Sequence, residues 1–89
     1  MTEPSVAASL GEVRAGLAEV SEHLGTAYRC ARTAQQRLVE AVGLLSELDR
    51  AHHDQLVSPE LLRAGHELTR ALELISGGAD SVAAIAARL

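Results

Sequence analysis

Apolar residues recur through the first half of this 89-residue chain in alternating steps of four and three. This spacing predicts one helix over about residues 5–51 with a single apolar seam, the heptad pattern of coiled coils. The seam residues are Val6, Leu10, Val13, Leu17, Val20, Leu24, Ala27, Ala31, Ala34, Leu38, Ala41, Leu45 and Leu48.

A second series with the same spacing begins after residue 58. Ser58 suits an N-cap, Pro59 the first helical position and Glu60 the positive end of the helix dipole. These signals predict a second helix over residues 59–89, with a possible kink at Gly77–Gly78. Its seam residues are Leu61, Gly65, Leu68, Leu72, Ile75, Ala79, Val82, Ala86 and Leu89.

The turn over residues 52–58 is short, so the two helices are predicted to be antiparallel neighbours. We therefore expect an all-α fold in which residues 1–89 form one coiled-coil-like antiparallel helical hairpin. A turn centred near residue 55 would place Ala31 opposite Ala79 and give Gly77 and Gly78 a packing role at an alanine-rich waist. It would also leave the helix before about residue 21 without an intramolecular partner.

This unpartnered segment carries a regular apolar seam, and exposed stripes of that kind mark interaction sites. We predict that it pairs with a second copy to form a homodimer, a four-helix bundle. In the alternative, the first helix breaks at Gly25 and folds back as a three-helix monomer. The predicted oligomer interface consists of Val6, Leu10, Val13, Leu17, Val20 and Leu24.

Composition excludes several classes of function. A net charge of −4 argues against a nucleic acid partner, and a 1% aromatic content leaves no cluster for stacking bases.

The N-terminus has neither a basic start nor a long apolar run, so we expect a cytoplasmic protein with no membrane span. Cys30 is the single cysteine and cannot form an intramolecular disulfide. All eight basic residues are Arg, which is typical of GC-rich genomes such as those of actinobacteria.

The stretch "AHHDQLVSPELL" is the one candidate for chemistry. His52, His53 and Asp54 could contribute to a metal site completed by Asp49 or Glu47. However, the chain contains no Glu-x-x-His pair and no zinc pattern of Cys and His. We interpret the histidines as turn residues, and we predict no catalytic residue, no metal ligand and no cofactor.

A long helical hairpin rich in Ala, Leu and Glu resembles the small W-x-G helical-hairpin proteins of type VII secretion. The resemblance covers the architecture alone. Those proteins carry Trp-x-Gly in the turn, where this chain reads "HHDQLVSPE". They also carry a Tyr with an acidic residue four positions later, whereas Tyr28 is followed at that position by Arg32. The chain also resembles heptad-rich helical modules associated with secreted toxins of actinobacteria. We expect a non-enzymatic interaction or scaffolding module that oligomerises through its heptad seams. The alternatives are a helical partner or escort of a secreted toxin or secretion substrate, and a metal-binding helical bundle.

Overall fold

The computed structural model describes the backbone of residues 3–89 and the side chains of residues 9–89. It contains two antiparallel helices, α1 (Glu3–His52) and α2 (Pro59–Arg88), joined by the loop of residues 53–58. No strand occurs within residues 3–89. The prediction of an all-α helical hairpin is therefore confirmed.

The start of α2 follows the predicted capping chemistry. Ser58 has extended backbone angles, φ −83° and ψ 155°, and its Oγ accepts a hydrogen bond from the backbone N–H of Leu61 at 3.2 Å. Pro59 occupies the first turn, where a missing N–H costs nothing, and Glu60 adds a negative charge at the positive end of the dipole. These three residues make the helix begin at one defined position.

The molecule is a rod with dimensions of 76 × 16 × 14 Å. An α-helix rises 1.5 Å per residue, so the 50 residues of α1 account for the whole length. α1 is continuous through Gly25 and α2 is continuous through Gly77 and Gly78. The alternative in which α1 folds back at Gly25 is therefore wrong for this structure. Neither helix has a segment long and apolar enough to cross a membrane, within the part of the chain that the structure describes.

The face of α1 that packs on α2 differs from the predicted seam in one of its two columns. Leu17, Leu24, Ala31, Leu38 and Leu45 are partly buried as predicted. The second partly buried column is displaced by one residue from the predicted one: Tyr28, Gln35, Val42 and Asp49 are covered, whereas Ala27, Ala34, Ala41 and Leu48 are exposed. The apolar pattern alone misses this column because it contains Gln35 and Asp49. In α2 the predicted seam is covered from Leu61 to Val82.

The register between the helices also differs from the predicted one, by about one heptad. Gln35 Nε2 donates to Thr69 Oγ1 at 2.9 Å, and the Arg14 guanidinium donates to the carbonyl oxygen of Leu89. α2 therefore covers α1 back to Arg14 rather than to residue 21, and Ala31 lies level with Leu72 rather than with Ala79.

Large residues of one helix face small residues of the other in this register. A Cβ placed on Gly65 would lie 3.7 Å from Leu38 Cδ2, and one placed on Gly78 would lie 4.0 Å from Leu24 Cδ1. Such interdigitation lets two helices approach without voids. The predicted alanine waist is therefore wrong, and Gly77 has no packing role because a Cβ there would meet nothing within 4 Å.

Candidate interaction surface

The residues that line the grooves of the hairpin show which side chains share each of its two broad faces. Residues one position after the seam, Val39 in α1 and Leu62 in α2, line an open groove of about 290 Å³. Gly25 and Ser76, in the equivalent positions, line a second groove of about 400 Å³. These residues therefore share one side of the hairpin, which we call the grooved face.

The opposite side carries the residues three positions after two partly buried columns, the one through Leu24 and Leu38 in α1 and the one through Leu61 and Leu68 in α2. Three helical steps of 100° rotate a side chain to the other flank of such a column. We call this side the apolar face. Every residue in its two columns is apolar, and none is charged. The columns consist of Val13, Val20, Ala27, Ala34, Ala41 and Leu48 from α1 and Ala64, Ala71, Gly78 and Ile85 from α2.

Most of the apolar face is open to solvent. Val13, Val20, Leu48 and Ile85 are each between 45 and 48% exposed, and only Ala71 and Gly78 in this set are partly covered. Leu44 and Leu74 stand next to the two columns and are 64% and 66% exposed. A continuous apolar strip of this length on a folded surface indicates a site of protein contact.

Charged groups lie at the rim of this face and not within it. Arg37 borders the α1 column and pairs with Glu40 at 3.3 Å, with both side chains largely exposed. A solvent-exposed pair of this kind contributes between about 0 and 1 kcal/mol to stability. This pair therefore lies beside the apolar face and leaves its middle free for packing.

The structure divides the predicted interface residues into two groups. Leu10, Val13 and Val20 are exposed, as the interface prediction requires. Leu17 and Leu24 are half-buried because the register places α2 over both, so the expectation that Leu17 lacks a partner within the hairpin is wrong. The side chain of Val6 lies outside the described residues.

The turn is organised by Asp49 and not around the histidines. The Asp49 carboxylate accepts hydrogen bonds from the backbone N–H of Leu56 at 2.5 Å and of Val57 at 3.4 Å. The loop therefore runs back along the last turns of α1. An extended residue spans about 3.3 Å, whereas a helical residue rises 1.5 Å. Six loop residues that run back along α1 therefore carry α2 further along α1 than six helical residues would, which accounts for the register shift of about one heptad.

The histidines lie at the edge of this turn. His53 adopts the left-handed region, φ 57°, and its N–H donates to Asp49 O at 2.8 Å, which is a helix C-terminal arrangement. His52, His53 and Asp54 are exposed, while the Asp49 carboxylate is engaged with the loop. Among the described residues, no three His, Cys, Asp or Glu side chains are grouped so that they could hold a metal ion.

Sequence reasoning misses the α2 half of the apolar face. Ala64, Ala71, Gly78 and Ile85 repeat every seven residues, and this spacing could have revealed them. The signal is weak because three of the four are Ala or Gly, which contribute little to a hydrophobic pattern.

The chain was compared with models of known protein families, with curated proteins and with solved structures. No family model, no curated protein and no solved structure matches it.

Proposed function

We propose that this chain is a non-enzymatic interaction module that associates with a second copy of itself through the apolar face. Two hairpins packed face to face form a four-helix bundle in which each helix gains a second neighbour. The observation that carries the proposal is the absence of any charged or polar residue from the two columns of the apolar face.

The exposed area of the hairpin supports this proposal. A compact monomer of 9.4 kDa exposes about 5,000 Å² of surface. The hairpin exposes 6886 Å², which is about 1,900 Å² more than that expectation. A stable protein interface buries about 800 Å² on each partner, so the excess is large enough for a substantial interface.

The packing of a lone hairpin points the same way. Leu72 is the single buried residue among those described, and it is still 9% exposed. A small chain needs a buried apolar core to offset the conformational entropy lost on folding. Covering Val20, Leu48 and Ile85 would supply such burial, at about 1.5 to 3 kcal/mol for each large side chain fully buried.

Small residues in the middle of the face suit close helix packing. Ala27, Ala34 and Ala41 on α1, and Ala64 and Ala71 on α2, allow backbones to approach to the lower end of the range of interaxial distances, about 8–10 Å. The same face could accept the helix of another protein, which is the alternative role of a partner or escort for a secreted toxin. Self-association is preferred because it requires no component besides the chain.

The test is the molar mass in solution of the unmodified chain and of an Ala27→Glu, Ala34→Glu double variant. Both alanines are exposed in the hairpin, so the variant keeps its helical content. In the bundle it would bury unpaired charges, which is costly. Light scattering should report an oligomer for the unmodified chain and a monomer for the variant.

A matched control is the Thr26→Glu, Thr33→Glu variant, which adds the same charge on the same turns of α1. Both threonines are exposed and lie away from the apolar face. This control should remain oligomeric. A monomeric unmodified chain at tens of micromolar would contradict self-association and leave a heterologous helical partner as the working explanation.

A further inference from the structure

The bulk of side chains along the α1 column of the apolar face is unevenly distributed. The six members whose side chains the structure describes, Val13 to Leu48, are centred between Cys30 and Ala31. Alanine occupies the middle part of the column, at Ala27, Ala34 and Ala41, whereas the larger Val13, Val20 and Leu48 lie toward its two ends. Two crossing helices are closest at the crossing point and diverge away from it, so small residues are needed at the centre and larger ones at the ends.

The hairpin also has two unequal ends. At one end, residues 3–13 of α1 extend past the last residue of α2, and Leu10 and Val13 are exposed there. At the other end, next to the turn, Leu44 and Leu48 are exposed. The exposed apolar residues at each end have no partner within the hairpin. The opposite end of a second copy carries apolar residues that would cover them.

We propose that the two copies pack antiparallel, with a two-fold axis across the midpoint of α1, so that the extension of each copy covers the turn end of the other. This inference rests on the self-association proposed above. In this arrangement Val13 lies beside Leu48 of the second copy, and Ala27 lies beside Ala34 of the second copy. The two-fold symmetry makes both ends equivalent, so one contact is repeated twice.

The competing arrangement has its two-fold axis parallel to the rod, which places α1 of one copy over α2 of the other. The columns would still meet, with Ala34 beside Ala71. However, both extensions would then project from the same end, and neither would meet a turn end, so Val13 and Leu48 would remain uncovered. The antiparallel arrangement covers more of the exposed apolar residues.

Cys30 reports which arrangement forms. It is an exposed free thiol at the edge of the apolar face, next to the midpoint of the column. Antiparallel packing brings the thiols of two copies together at the two-fold axis, whereas the parallel arrangement holds them on opposite sides of the bundle. Treating the unmodified chain with bismaleimidoethane should therefore give a covalent dimer on a denaturing gel.

Two sets of variants control for random collision. In the Cys30→Ser, Arg37→Cys double variant, the thiol lies in the same exposed column as Cys30. The helical rise places it about 20 Å from the thiol of the second copy, so the covalent dimer should be lost. Mixing that variant with Cys30→Ser, His23→Cys should restore a covalent heterodimer, because the axis places residue 23 of one copy near residue 37 of the other.

The outcomes separate this inference from the proposed function. The antiparallel arrangement is supported if the unmodified chain is an oligomer that cross-links through Cys30, and if the Cys30→Ser, Arg37→Cys variant alone does not cross-link. An oligomer in which Cys30 fails to cross-link, or in which both proteins cross-link equally, overturns the arrangement and leaves self-association standing. A chain that is monomeric by light scattering overturns both.

Discussion

Asp49 shows how a polar residue inside an apolar pattern can fix the geometry of a hairpin. Its carboxylate accepts two backbone N–H groups of the loop, Leu56 and Val57, which have no helical partner. Hydrogen bonds from backbone N–H groups to a charged acceptor are stronger than those between neutral groups. The position of one side chain thus sets where the loop turns back and which residues of α2 meet α1.

We predict that Asp49→Ala destabilises the hairpin by about 0.5 to 1.5 kcal/mol, because two solvent-accessible loop N–H groups exchange a charged acceptor for water. The measurement is the urea midpoint followed by helical circular dichroism. Glu47→Ala is the matched control, since Glu47 is an exposed carboxylate on the same turn of α1. Equal stability of the two variants would contradict the role assigned to Asp49.

His53 provides the second prediction for a single residue. Its φ of 57° is the left-handed conformation that glycine adopts without a steric penalty. His53→Gly should therefore raise stability by about 0.5 to 1 kcal/mol, as measured by thermal unfolding. His52→Gly, one residue earlier and still helical, should lower it. A loss of stability in both variants would mean that the His53 side chain itself contributes a contact.

At the scale of the elements, sequence and structure agree on the two helices and disagree on how they meet. Heptad spacing and the Ser58 and Pro59 signals are local, so α1, α2 and the start of α2 could be predicted. The register depends on the Asp49 contacts, which form only once the loop is folded. Gln35 lies outside the predicted seam because nothing in the sequence pairs it with Thr69, 34 residues away.

The glycines of α2 test the observed register. Gly77→Ala should stabilise the hairpin by about 0.5 to 1 kcal/mol, because the added Cβ meets nothing and alanine favours the helix. Gly65→Leu should instead destabilise it by about 1 to 3 kcal/mol through overpacking against Leu38. Chemical unfolding of both variants is the measurement, and the opposite order of stabilities would restore the predicted alanine waist.

For the whole molecule, the sequence indicates an unpartnered apolar surface but assigns it mainly to the N-terminal end of α1. The structure extends that surface along both helices, because α1 has two apolar columns and α2 covers only the one that runs through Leu24 and Leu38. The uncovered part is the surface that we propose a second copy of the chain covers.

Self-association predicts a melting temperature that depends on protein concentration, since binding of folded chains to each other favours the folded state by mass action. The midpoint of thermal unfolding should rise as the concentration of the unmodified chain increases. It should stay constant for the Ala27→Glu, Ala34→Glu variant. A midpoint independent of concentration in both proteins would indicate that the hairpin folds alone.

The rod of 76 × 16 × 14 Å also affects how the molecule behaves when it moves through a medium. An elongated particle experiences more friction than a sphere of equal mass, so a single hairpin would elute from a sizing column ahead of compact proteins of its own weight. Two hairpins packed side by side double the mass and thicken the rod, with much less change in its length. Elution volume alone would therefore separate the two species poorly, whereas sedimentation would separate them well, because the thicker rod carries twice the mass with only moderately greater drag.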